Sequence, residues 1–167
     1  VEQSLYVSEG MMDKLLQRKT NMYTFMKNPY GLAFLPYIEL YSPSGGTLEE
    51  RIYYNYDYSG NIRSVVKDGQ SKTVYLWGYN SMYPVVKIDG ATYADVEEWL
   101  GSDLISDLSN TTTVEAMLNV IRERLLGKDV LVTTCTYTPL VGMSSKTTPY
   151  GEKTTYEYDS FGRLSRV

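Results

Sequence analysis

Along Tyr54–Asp57, aromatic and polar residues alternate, Tyr54 and Tyr56 against Asn55 and Asp57. A period of two belongs to a strand with one face buried, and Gly60 then interrupts it. Asp57 can cap its own turn by accepting a hydrogen bond from a nearby backbone N–H, and Gly60 can take the positive φ that a reversal demands. Ile62–Val66 is the expected returning strand. The chain does this twice. "YNYDYSGNIRSV" from Tyr54 and "YEYDSFGRLSRV" from Tyr156 share Tyr54/Tyr156, Tyr56/Tyr158, Asp57/Asp159, Gly60/Gly162 and Val65/Val167, at a constant offset of 102 residues.

Fixed-period self-similarity of about 20 to 50 residues marks repeat architectures. A step of 21 residues forward from Tyr54 and Tyr56 lands on Tyr75 and Trp77, and a step of 21 back from Tyr156 and Tyr158 lands on Cys135 and Tyr137. Two pairs of units are therefore expected. The rings in this register are read as inward-facing, and Cys135 as a buried small hydrophobe.

Between the pairs the pattern turns helical. Thr92 can cap a helix that places Tyr93, Val96, Trp99 and Leu100 on one side, with Gly101 past its end. Thr112 and Glu115 have capping-box spacing, ahead of a stripe of Val114, Met117, Leu118, Ile121 and Leu125 that Gly127 ends. Nearer the N-terminus, Met11, Leu15, Arg18, Met22 and Phe25 keep helical spacing, but "TNMYTFM" is rich in strand formers. Strand is the expectation there, with a helix over 11–26 as the alternative. "NPYG" and "SPSGG" read as turns around a strand at Ala33–Tyr41. The organisation expected is one unit over 1–167, with N-terminal strands at 1–48, β repeats at 49–90, a helical insertion at 91–128 and β repeats at 129–167.

Composition narrows the function. The 167 residues carry a net charge of −4 and no histidine, so the basic footprint of nucleic-acid binding is missing. No apolar run reaches the roughly 18 to 20 residues of a spanning helix, so membrane insertion is not expected. One cysteine and no histidine leave no zinc spacing, no intrachain disulfide and no histidine-based triad. No cofactor or metal site is expected. Tyrosine supplies 17 residues, each offering an apolar ring and a hydroxyl suited to a pleated surface. Both ends are abrupt, which reads as a piece of a longer protein with any export signal outside it.

"YxYDxxGxL" at Tyr156–Leu164, its second copy "YNYDYSGNI" and the 21-residue period resemble the YD repeat of Rhs-type proteins, which the bacterial toxin-carrying wall proteins and the animal teneurins share. The resemblance covers roughly residues 50–79 and 137–167. It implies an α+β fold, mainly antiparallel β hairpins of YD repeats with a small helical insertion. It also implies an extracellular or cell-surface setting, because the family winds such hairpins into large β-shells on exported proteins. Two features depart from the family. The helical block at 92–127 is not part of the basic repeat, and the repeats are too few to enclose a shell.

The candidate chemistry is thin. Asp57 with Asp159, or Glu49 with Glu50, are the carboxylate pairs a glycosidase would need, but turn capping accounts for the two aspartates. Tyr58, Tyr79, Tyr150 and Phe161 fall at hairpin tips, where exposed rings could meet a glycan or a protein. The expected function is a non-catalytic structural and interaction module. Its partners would be flanking YD repeats, a glycan or protein ligand, and a second copy paired through an edge strand. The alternative is a carbohydrate-active enzyme domain using paired carboxylates.

Overall fold

A computed structural model describes residues 2–9, 12–25, 33–41, 48–68 and 71–167, with side chains for 37–40, 48, 50–68 and 72–167. The class is α+β, mostly antiparallel sheet with short helices. The chain forms two compact units, Val1–Lys72 and Thr73–Val167.

The first unit is a meander of β1 (Glu2–Glu9), β2 (Met12–Phe25), β3 (Ala33–Tyr41), β4 (Leu48–Tyr56) and β5 (Ile62–Lys67). Each strand pairs antiparallel with the next. Residues 12–25 are thus strand, as the β-forming composition of "TNMYTFM" favours over its helical spacing. The "NPYG" and "SPSGG" segments and the side chain of Glu49 lie outside the described residues. Cross-strand chemistry fixes the register of β3 on β4. Glu39 is buried opposite Arg51 and accepts from its guanidinium, Nε at 2.8 Å. The Arg51 Cζ lies 5.5 Å from the Tyr37 ring centre and 5.9 Å from that of Tyr53. Such a partner for a buried carboxylate offsets its desolvation.

In the second unit β6 (Ser71–Gly78), β7 (Tyr83–Asp89), β8 (Leu131–Thr138), β9 (Gly142–Thr147) and β10 (Lys153–Thr155) lie in that order across the sheet, and β11 (Glu157–Tyr158) pairs with β12 (Leu164–Arg166). Three helices enter between β7 and β8: α1 (Tyr93–Leu100), α2 (Ser102–Asn110) and α3 (Glu115–Arg124). They cover the sheet face that carries the buried apolar strand residues. Val74 and Leu76 of β6, Val86 and Ile88 of β7 and Val132 of β8 join Val96, Leu100, Ile105, Leu108, Val114, Leu118, Ile121 and Leu125 in one buried cluster. A fully buried leucine here contributes on the order of 2 to 5 kcal/mol against truncation.

Helix α1 starts at the expected Thr92, whose hydroxyl accepts from Asp95 N–H at 3.2 Å while the Asp95 carboxylate accepts from Thr92 N–H at 2.8 Å. The expected capping box at Thr112 does not form. Helix α3 begins at Glu115 with Val114 as its N-cap and no side-chain cap. Val114 is fully buried, so core packing sets this start. Arginines near the end of α3 tie the layers together. Arg122 donates to the carbonyls of Val132 (3.0 Å) and Thr148 (2.9 Å), and Arg124 to that of Leu100 (2.6 Å).

The 21-residue comb has a structural counterpart. In β4–β5, β6–β7, β8–β9 and β11–β12 the register shifts immediately before Tyr56, Trp77, Tyr137 and Tyr158. The additional residue in each case lies on the returning strand: Arg63, Val85, Ser144 and Ser165. One extra residue at a fixed point bends and twists each hairpin alike. The rings themselves are half-buried rather than inward. Tyr54, Tyr56, Tyr75, Trp77, Tyr137, Tyr156 and Tyr158 all keep intermediate exposure. On β6 the reason is visible, because Val74 and Leu76 take the helix-covered face and leave Tyr75 and Trp77 on the other.

Candidate functional site

The repeated turns are superposable in hydrogen bonding. Asp57 N–H donates to the Asn61 carbonyl (2.9 Å) and Gly60 N–H to the Asp57 carbonyl (3.1 Å). The Asp57 carboxylate accepts from Asn61 N–H at 2.8 Å. In the second copy, Asp159 N–H donates to Arg163 (2.9 Å), Gly162 N–H to Asp159 (2.9 Å), and the Asp159 carboxylate accepts from the N–H groups of Phe161 (2.9 Å) and Arg163 (3.0 Å). Gly60 and Gly162 have φ of 87° and 73°, the left-handed region open to glycine without a Cβ penalty. This is a turn closed by a bulged left-handed residue, a common three-residue hairpin connection.

A third copy escapes the motif. In "TPYGE", Thr148 N–H donates to the Glu152 carbonyl (2.8 Å), Gly151 N–H to the Thr148 carbonyl (3.0 Å), and the Thr148 hydroxyl accepts from Glu152 N–H (3.2 Å). Gly151 has φ of 88°. A threonine hydroxyl replaces the aspartate carboxylate, which hides the likeness from a search for Asp. The Thr-x-x-Gly spacing was the available signal.

Each of these turns lifts a ring into solvent: Tyr58 is 96% exposed, Tyr150 85% and Phe161 82%. Tyr79 does the opposite and corrects the expectation of an exposed tip, being only 4% exposed. Its turn runs left-handed through Tyr79, Asn80 and Ser81, with φ of 55°, 58° and 61°, held by Ser81 N–H on the Ser109 carbonyl at 2.8 Å. The ring packs edge-on against Tyr83 and Tyr137, which stack on each other at 4.7 Å. Its hydroxyl accepts from Tyr137 N–H at 3.0 Å. Burial raises the pKa values of the Tyr79 and Tyr137 hydroxyls, the latter to about 12.

Tyr158 anchors the last hairpin. Its hydroxyl donates to the Met143 carbonyl at 2.9 Å, and its ring occupies the space a Cβ on Gly142 would need, 2.5 Å from the hydroxyl oxygen.

The carboxylates serve local structure. Asp57 and Asp159 lie in different units, each turned onto its own loop, and Arg163 N–H is the main cause of the lowered pKa of Asp159. Glu50 pairs with Lys67 at 2.6 Å. Among the described residues no group of three or more His, Cys, Asp or Glu could hold a metal ion, and no helix is long and apolar enough to cross a membrane.

Among the described residues of the second unit, two hollows carry polar or charged groups on the sheet. One, of about 350 Å³, is lined by Glu115, Asn119, Arg122, Thr134, Ser145 and Lys153 among others. The other, of about 300 Å³, is lined by Tyr75, Lys87, Thr133, Cys135, Tyr137, Met143 and Lys146, with Pro84, Val85 and Val86. Cys135 is half-buried there rather than in the core, and desolvation raises its pKa. No protein-family model matches the chain, and no curated protein shows significant similarity to it.

Proposed function

We propose that the chain is a non-catalytic structural and interaction module, a YD-repeat β-scaffold segment of a cell-surface or secreted Rhs-type protein. The observation that carries this reading is the recurrence of one turn, with the same hydrogen bonds, at Asp57, Thr148 and Asp159. A sequence that reuses a frame and varies the ring it presents is organised for display and stacking. The turn carboxylates favour the scaffold over a glycosidase, which needs two carboxyl groups facing one bond across roughly 5 to 10 Å.

In this reading Tyr58, Tyr150 and Phe161 meet a glycan or a protein. Strand β12, paired only with β11 among the described residues, carries the next repeat in the longer protein or a second copy of this chain. An open edge with Leu164 exposed is a template for strand addition.

Sedimentation velocity over a concentration series tests the edge. Association that Leu164→Lys abolishes is the expected result, and a strict monomer at the highest soluble concentration would refute it. Turnover of a chromogenic glycoside, lost in Asp57→Asn or Asp159→Asn, would replace the scaffold reading with the enzyme.

A further inference from the structure

The hollow built on Tyr75 is not used by the turns or by the tip rings. Strand register explains its composition. Tyr75 on β6 faces Lys87 on β7, Lys87 faces Thr133 on β8, and Cys135 faces Lys146 on β9. Alternation puts these residues on the sheet face opposite Val74, Leu76, Ile88 and Val132, which the helices cover. The result is an aromatic and aliphatic floor with two ammonium groups and a hydroxyl beside it.

From this we infer that the open face of β6–β9 holds a binding site for a carboxylated sugar ring, of the hexuronate class. Three features choose this ligand. The volume of about 300 Å³ lies at the lower end of the range for small-molecule sites, suited to a single ring. Tyr75 offers a half-buried platform in the lining, with no hydrogen-bond or ring partner among the described residues, and the C–H face of a pyranose is apolar enough to lie on it. The charge is one-signed within the lining. Lys87 is paired with Asp89 at 2.6 Å, while exposed Lys146 makes no ion pair among the described residues and is left to meet a carboxylate. The half-buried Cys135 thiol, with its raised pKa, stays neutral near pH 7 and adds no opposing charge.

The test is a ¹H–¹⁵N titration of the full chain with glucuronate, glucose and triglutamate. Glucuronate should shift Tyr75, Thr133 and Lys146 saturably, and glucose should bind roughly tenfold more weakly, the scale of one charge-assisted hydrogen bond. Lys146→Gln, at an exposed position, should leave the fold intact and bring the two sugars to equal affinity. Tyr75→Ala should weaken both. Absence of saturable shifts at this face, equal binding of the two sugars by the unaltered chain, or unchanged selectivity in Lys146→Gln would overturn the inference. Preferential binding of triglutamate would overturn it in favour of an acidic-peptide surface. None of these outcomes depends on the edge of β12, so this site and the scaffold reading can fail separately.

Discussion

Replacing Tyr79 by Phe removes one oxygen and nothing else, which makes it a clean probe of how the turn between β6 and β7 is locked to β8. The hydroxyl accepts the backbone N–H of Tyr137 at 3.0 Å, at the bulge where β8 shifts register against β9. That N–H is part-buried, and the ring of Tyr79, 4% exposed, blocks water from replacing the lost acceptor. An orphaned buried donor costs about 1 to 3 kcal/mol. For a cooperative unit of roughly 100 residues this lowers Tm by about 4 to 8 °C for each kcal/mol. Tyr83→Phe is the internal control. Its hydroxyl accepts from Leu140 N–H at the same 3.0 Å, but Leu140 is 92% exposed and water can satisfy its N–H, so the expected cost is below about 0.5 kcal/mol. Urea melts followed by circular dichroism, with m-values compared, would report both. Equal costs, or a neutral Tyr79→Phe, would refute burial of this hydrogen bond as the source of stability.

Gly142→Ala should displace the Tyr158 ring and release the β11–β12 hairpin, so amide exchange at Glu157–Arg166 should rise while β6–β8 stay protected. An isolated two-stranded hairpin is marginal in water, and unchanged protection would show that Tyr158 is not its anchor. Gly60→Val and Gly162→Val place a β-branched residue at positive φ and should cost about 1 to 2 kcal/mol or more, against about 1 kcal/mol for Thr148→Val, which loses only a capping oxygen. The reverse order in urea melts would count against the shared turn. The Asp159 pKa is depressed, chiefly by the N–H of Arg163. Its contribution is therefore present above the ordinary carboxylate range and lost as pH falls through the lower folded value. A carboxyl NMR titration with a midpoint at or above the ordinary range would contradict the bonded geometry. Leu108→Ala, at a fully buried position, should cost about 2 to 5 kcal/mol.

What the chain alone determined is local. Asp or Thr three residues before Gly specifies a turn because the oxygen, the two N–H groups and the left-handed residue all lie within five positions. The helix at Thr92 follows for the same reason, since its cap and its stripe are neighbours in sequence. The 21-residue comb likewise marked hairpins whose bulges recur at Tyr56, Trp77, Tyr137 and Tyr158. Tertiary structure decided which face each ring takes. Tyr58 and Tyr79 stand 21 residues apart at equivalent tips, yet one is exposed and the other buried, because only the second meets Tyr83, Tyr137 and the end of α2. The same holds for Thr112, a plausible cap by spacing, which loses to the burial of Val114. It holds too for the site on Tyr75, Lys87, Thr133 and Lys146, which are scattered over 72 positions of the sequence and meet only through cross-strand register. Period two says that neighbours face opposite ways. Which way is set by where the apolar helices dock, and that choice depends on residues far away along the chain.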